Sequence, residues 1–305
     1  MKQETRHVPV MLNEVLRVLM PRKGKIIVDC TLGLGGHSAA LLEKIAPTGK
    51  LLATDMDAAN IALAHDQLNA VVAEFGGDFT LFHVNFAALP AVLQQAGIDR
   101  VDGILADLGV ASPQIDDPAR GFSYRKPGPL DMRMDPTKGQ PASRLLAKMT
   151  ERELAAALFE LGDEDDAAKI ARLIVERRAE EPITTTQQLT ALVCEARDVT
   201  LARAAGAKLH PAARTFQALR ILVNRELDSL DRLLDVIPEC LKPKGIAAII
   251  SFHSGEDRRV KLAFREGHRA GTFSAISPDP ILATPEEIES NPRSRSAKLR
   301  WARLC

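Results

Sequence analysis

The chain has 305 residues, 46% of them hydrophobic and 26% charged, which is enough for one large domain or two unequal ones with a full core. Its 40 basic and 40 acidic residues cancel, so no global field draws it to a polyanion and any such site must be a local patch. No apolar run approaches the ~18–20 residues of a membrane span, and Cys30, Cys194, Cys240 and Cys305 are too scattered for a zinc knuckle or a paired redox motif.

Free thiols of this kind fit a reducing, cytoplasmic setting. The first residues, through His7, lead into a short amphipathic segment and do not read as a signal peptide. Met11, Val15, Leu16 and Leu19 are at helical spacing, and Pro21 stops that helix. Ile26 to Val28 reads as a buried strand ending in Asp29, followed by a turn with Gly33, Gly35 and Gly36. From His37 the spacing of Leu41, Leu42 and Ile45 is helical. Strand, glycine turn and helix bring backbone close to a ligand and aim helix-start N–H groups at it. A second strand, Lys50 to Thr54, ends in Asp55, where a carboxylate can accept both hydroxyls of a ribose.

A helix through Ile61 and Leu68 reaches Gly76-Gly77. A strand over Phe79 to Val84 leads to Phe86, and a helix near Pro90 to Ala96 leads to a strand over Val101–Asp107. This alternation predicts a doubly wound parallel sheet with its ligand crevice beyond the strands' carboxyl ends. The proline- and glycine-rich stretch 108–136 is too long for an ordinary connection and has the marks of a functional loop. From about Pro141 to Leu209 the pattern is helical. Thr150 and Glu153 form a capping box, stripes run through Leu154, Leu158 and Leu161 and through Ile170, Leu173 and Ile174, and Thr186 is placed to cap a third helix. The reading is a first part of the sheet domain over 1–136, an inserted all-helical domain over 137–210, and a second part over 211–305. Phe216 to Ile237 reads as one long amphipathic helix and Gly245 to Phe252 as a strand. The tail concentrates Arg293, Arg295, Lys298 and Arg300.

The glycine turn and Asp55 call for a nucleoside-containing cofactor, and two compete for it. NAD would rest its pyrophosphate on the helix start, where His37 is awkward. S-adenosylmethionine needs backbone at its amino-acid end, an acid for its ribose and a flat wall for its adenine, and the pattern favours it. Plainer readings stand beside these: His37 as a helix-start residue, Phe86 as core, and the basic tail as a solvated face. With Tyr124, Trp301 and ten Phe as its aromatics, the chain does not present a base-stacking platform.

Longer motifs then accumulate in order. They include His7–Met11, Thr31–Ser38, Asp107–Gln114, Arg120–Ser123, Gly128–Asp135, Phe216–Ile221, Ser251–Ser254 and Asn291–Ser296. Carrying these, the chain resembles the RsmH (MraW) family, nearly end to end. The resemblance implies a Rossmann-like class I methyltransferase with a helical insertion. It would move a methyl group from S-adenosyl-L-methionine to the exocyclic N4 of a cytidine in small-subunit (16S) ribosomal RNA, with the small ribosomal subunit as partner and no metal. It implies donor contacts from Gly35, Gly36, His37, Asp55, Phe86, Asp107 and Gln114. Asp107 is the candidate catalytic acceptor, and Asp131, Arg133, Arg293 and Arg295 are candidate substrate contacts. Gly255, Pro127 and Ala111 depart from the family pattern in loops. A nicotinamide oxidoreductase and a catalytically inactive ribosome-assembly factor remain as rival classes, and a homodimer is left open.

Overall fold

The computed structural model describes residues 9–207 and 209–305, so His7 and Val8 of the first motif lie outside the described residues. In chain order the elements begin with α1 (Leu12–Leu19), β1 (Ile26–Asp29), α2 (Gly36–Ile45), β2 (Lys50–Asp55), α3 (Ala58–Phe75), β3 (Asp78–His83), α4 (Leu89–Gln95) and β4 (Val101–Asp107). A helical run follows with α5 (Ser112–Asp116), α6 (Ala142–Lys148), α7 (Glu151–Gly162), α8 (Ala167–Glu180), α9 (Thr186–Ala196), α10 (Leu201–Ala205) and α11 (Ala213–Asn224). The chain closes with α12 (Glu226–Cys240), β5 (Leu241–Ser251), α13 (Ser254–Arg269), β6 (Phe273–Ile276), β7 (Ile281–Leu282), α14 (Pro285–Ser290) and β8 (Lys298–Leu304). Two compact units result, one running up to Gly109 and resuming at Leu227–Cys305, the other Val110–Glu226.

The first unit is built on one sheet in the order β3-β2-β1-β4-β5-β8-β6, with β7 also paired to β8. Strands β1 to β5 are parallel, whereas β8 runs antiparallel to β5, β6 and β7. Side-chain alternation explains why both faces must be covered. Val28, Leu52, Ile104 and Ile249 bury one face beneath Leu93 of α4, Leu233 of α12 and Phe264 of α13. Their neighbours Ile27, Leu51, Leu105 and Ile250 bury the other beneath Val15 of α1, Leu41 of α2 and Leu68 of α3. Each such aliphatic side chain contributes about 1.5–3 kcal/mol by leaving water. The strand order reverses between β1 and β4, and that is where a doubly wound sheet opens its ligand crevice.

The second unit packs α7, α8, α9 and α11 through Leu154, Leu158, Ile170, Ile174, Leu189 and Phe216. Its α7 starts with the expected reciprocal cap: Thr150 N–H donates to Glu153 Oε2 at 2.8 Å and Glu153 N–H to Thr150 Oγ1 at 3.3 Å. Thr150→Ala is expected to lower the stability of this unit by about 1 kcal/mol, read as a smaller denaturation midpoint at unchanged slope.

Four expectations change against the structure. The cap of α9 is Thr185, whose hydroxyl accepts Gln188 N–H at 3.2 Å. Thr186 sits one residue inside, and its hydroxyl donates to the Lys126 carbonyl. The stretch 110–136 belongs to the helical unit because its backbone is pinned there. Leu130 N–H donates to Thr184 O at 2.8 Å and Thr186 N–H to Gly128 O at 3.0 Å. The long helix over 216–237 is two helices, broken where Arg225 turns left-handed at φ 50°. Asn224, the last residue of α11, donates to Met132 O and accepts Met134 N–H, which ties this end of the helix to the 132–134 backbone. The basic tail also contains a sheet strand, β8. Its Arg300 is buried and held by Asp257 at 2.6 Å, with Lys298 3.5 Å from the same carboxylate. All four cysteines are free thiols, and among the described residues no helix is long and apolar enough to cross a membrane.

Candidate active site

The site is assembled at the carboxyl edge of the first unit's sheet. β1 ends at the fully buried Asp29, and the chain turns through Gly33 and Gly35 into α2. Gly35 is left-handed at φ 83°, and a Cβ there would stand 3.0 Å from the Cβ of Ala64 on α3. A side chain would be strained and would push α3 away, so the turn requires glycine. Pro9 lies over Gly36, where a Cβ would meet it at 3.1 Å.

Asp55 at the end of β2 ties this turn to the sheet. Its Oδ2 accepts Gly33 N–H at 2.8 Å and its Oδ1 accepts Asp57 N–H at 2.7 Å, with the Asn60 amide at 3.3 Å. An ionised carboxylate has about four acceptor positions, so capacity remains for ligand hydroxyls. The residue is half-buried but its carboxyl is deeply set. Burial pushes its pKa up to about 6, and the two N–H groups only partly oppose that.

A second cluster joins β1, α2 and β4. His37 is buried in the first turn of α2 with Nε2 3.5 Å from Asp107 Oδ2 at the end of β4. That is an ion-pair distance, longer than a good hydrogen bond. Neither ring nitrogen of His37 nor Oδ1 of Asp107 has a hydrogen-bond partner among the described residues. Burial alone would lower the His37 pKa, but the Asp107 carboxylate, with Asp29 and Glu287 behind it, outweighs burial and raises it. The ion pair's stabilisation is therefore complete below the ordinary imidazole pKa and is lost as pH rises through the raised one. Asp29 accepts Ser38 Oγ–H at 2.7 Å and Thr31 N–H at 3.0 Å, and burial raises its pKa. Thr31 Oγ1 accepts the Asp107 N–H at 2.6 Å, which fixes the end of β4 against the turn. Glu287 in turn accepts Met11 N–H at 2.6 Å.

Phe86 follows β3 in a 3₁₀ turn, Phe86–Ala88, started by Asn85, whose side chain accepts Ala87 N–H at 2.8 Å. The Asn85 amide also donates to Ser229 Oγ at 3.0 Å, so the turn is anchored to α12. Phe86 is half-buried against the core and also sits at the ligand edge, since Asp55 pairs with His83 just before it. Thus Gly35, Gly36, His37, Asp55, Phe86 and Asp107 share one edge of one unit.

The other expected residues are placed as follows. Gln114 lies in the second unit, buried in the first turn of α5, where its Oε1 accepts Ala111 N–H at 2.9 Å. Ala111 stands at the N-cap of that helix and offers no side-chain cap bond, so the Gln114 side chain supplies the one reciprocal contact there. Asp131 and Arg133, also in the second unit, form a two-pronged pair at 2.8 and 2.7 Å. Burial would raise the Asp131 pKa, but the Arg133 guanidinium lowers it. Arg120 donates to the Arg133 and Met134 carbonyls at 2.9 Å and steadies the loop. Arg293 and Arg295 are exposed on a 3₁₀ turn, Pro292–Ser296, just before β8.

One pair escaped the sequence reading. His253 follows β5 with Nε2 3.2 Å from Glu256 Oε1, while Glu256 Oε2 accepts Phe252 N–H at 2.8 Å. The i, i+3 spacing of His and Glu at a strand-to-helix junction was the available signal. Among the described residues no group of His, Cys, Asp and Glu is placed to hold a metal.

Comparison with known proteins identifies the family. The MraW methylase family matches residues 4–305. "Ribosomal RNA small subunit methyltransferase H" of Thermomicrobium roseum is 44% identical over 98% of this chain and 93% of its own. The protein of the same name from Acidobacterium capsulatum is 42% identical over 98% and 99%. Among solved structures, a putative methyltransferase from Streptococcus mutans in complex with SAH aligns with a TM-score of 0.45 at 10% identity, covering 98% of this chain and 100% of that one. With a family match across nearly its whole length and relatives above 40% identity, the chain belongs to the MraW methylase family.

Proposed function

We propose that the protein transfers a methyl group from S-adenosyl-L-methionine to the exocyclic N4 of a cytidine in small-subunit ribosomal RNA. The observation that carries this reading is the carboxylate of Asp107. It stands at the ligand edge beside the glycine turn, paired to His37 on one oxygen and without a hydrogen-bond partner on the other. As a member of a methylase family, the chain uses S-adenosyl-L-methionine as its donor, and the residues present fit that molecule. Asp55 retains acceptor positions for the ribose hydroxyls, the backbone of Gly35, Gly36 and His37 faces the amino-acid end, and Phe86 supplies a flat wall for adenine.

When bound, the donor supplies an electrophilic methyl group on a sulfonium. The rest falls to the protein. A cytosine amino nitrogen is a poor nucleophile because its lone pair is delocalised into the ring, so placing it in line is the main task. Asp107 accepts a hydrogen bond from that amino group, favours its pyramidal form and takes the proton that the methylated nitrogen must lose. His37 holds the acceptor carboxylate in place. Asp131, Arg133, Arg293 and Arg295 serve the RNA in the same reading, and the base must leave its stack to be reached.

Donor binding is expected to depend on pH through Asp55. Ribose hydroxyls bind its ionised form, whose pKa lies near 6 before donor binds. Affinity should be steady above pH 7 and fall toward about tenfold per unit below pH 6. Calorimetry in buffers of different ionisation enthalpy should show proton release on donor binding at pH 6. The function is tested by transfer of labelled methyl to small ribosomal subunits lacking the modification. Label in the RNA supports it, and label confined to protein, or none, rejects it.

A further inference from the structure

We propose that the outward face of α13 is a phosphate track that holds the substrate RNA strand as its target base enters the carboxyl edge, an inference that rests on the RNA-methylation reading above. The helix starts at Ser254, three residues after β5 ends at Ser251, so its first turn lies at the edge where Asp107 stands. Its buried side is formed by Glu256, Val260 and Phe264. On the opposite side Arg258, Lys261, Arg265 and Arg269 are all exposed. Their spacings of 3, 4 and 4 residues confine them to an arc of about 80° and string them along roughly 16 Å of helix.

Two of the helix's three acids are engaged away from this stripe. Glu256 is buried beside His253, and Asp257 is held by Arg300 and Lys298. Arg259, on the flank, is paired with Asp231, and Glu266 lies on the same flank. None of the four stripe cations forms an ion pair with a described residue. In a chain of zero net charge, four unpaired cations in a line are a local feature and not a by-product of overall basicity. The stripe also has continuity at the ligand edge. β8 is antiparallel and Lys298 pairs with Ser251, so the turn bearing exposed Arg293 and Arg295 arrives at that same edge.

A line of point charges with axial steps of about 4.5–6 Å suits a polyanion whose charges are also in line. Leu262 is the exposed large apolar residue beside the stripe, too little hydrophobic surface for a membrane-binding helix face. The partner is therefore an RNA backbone, held by phosphates and without base readout.

The test is the salt dependence of binding between donor-loaded protein and undermethylated small-subunit RNA. The variant carries Arg258→Gln, Lys261→Gln, Arg265→Gln and Arg269→Gln together. Each phosphate contact on a single strand adds about 0.7 to the slope of log affinity against log salt. The slope should become shallower by roughly 3, with S-adenosylmethionine affinity unchanged. Should the fourfold variant melt early, Arg258→Gln and Arg265→Gln alone should each lose about 0.7 of slope. An unchanged slope in folded variants overturns the track, as does a variant that loses binding to anionic vesicles but not to RNA. A wild-type protein that methylates RNA while the variant slope is unchanged removes the track and leaves the reaction. A wild-type protein that binds RNA through these cations but transfers no methyl removes the reaction and leaves the track.

Discussion

An Asp107→Asn enzyme is expected to bind S-adenosylmethionine and to lose turnover by about 10²–10⁴-fold, the range for removal of a positioned proton acceptor. The substitution keeps shape and leaves the Asp107 N–H bond to Thr31 Oγ1 in place, so the end of β4 stays anchored. What it removes is the charge opposite His37 and the ability to take a proton. Single-turnover methylation separated from donor titration reads the two effects apart. Normal donor affinity with full turnover would exclude the acceptor role and leave Asp107 as a donor ligand only.

The second large effect belongs to Asp55. In Asp55→Ala the Gly33 and Asp57 N–H groups lose their acceptor, and the ribose loses its partner. Two hydrogen bonds to a charged group are worth about 1.5–3 kcal/mol each, so donor affinity should weaken by about 10²-fold or more. The pH dependence below 6 should disappear with the carboxyl. Equilibrium titration across pH 5.5–8 checks both. A variant that binds donor tightly but still loses affinity on acidification would assign the titration to another group, with Asp29 and His37 the nearest candidates.

The sheet was legible where its strands are mostly apolar and end in acids. Ile26–Val28, Lys50–Thr54 and Val101–Ala106 are buried on both faces, and their terminal Asp29, Asp55 and Asp107 mark one edge. β8 was not legible, because Arg300 and Arg303 among Leu299, Trp301 and Leu304 resemble a solvated tail. The Arg300–Asp257 pair, made across 43 residues, supplies the buried guanidinium of that sheet strand with a partner. The break at Arg225 was hidden for a similar reason, since the apolar stripe continues in phase on either side of it.

For the site, the residues at strand ends could be named from sequence, but their couplings could not. The approach of His37 to Asp107 depends on how α2 is set by Pro9, Gly36 and Ser38, and on the Thr31 hydroxyl that draws β4 in. The clasp of His253 by Glu256 depends on α13 starting one residue later. Gln114, Asp131 and Arg133 were read as ligand or substrate contacts. They also have local duties within the second unit, Gln114 as a helix cap and Asp131 with Arg133 as a loop brace.

The acceptor atom is the central claim, and nucleoside mass spectrometry tests it most directly. Small subunits lacking the modification would be incubated with the protein and methyl-labelled S-adenosylmethionine, and their RNA digested to nucleosides. The account predicts label in N4-methylcytidine and its loss with Asp107→Asn. Label on a ring carbon, on a ribose oxygen or on another base would contradict it.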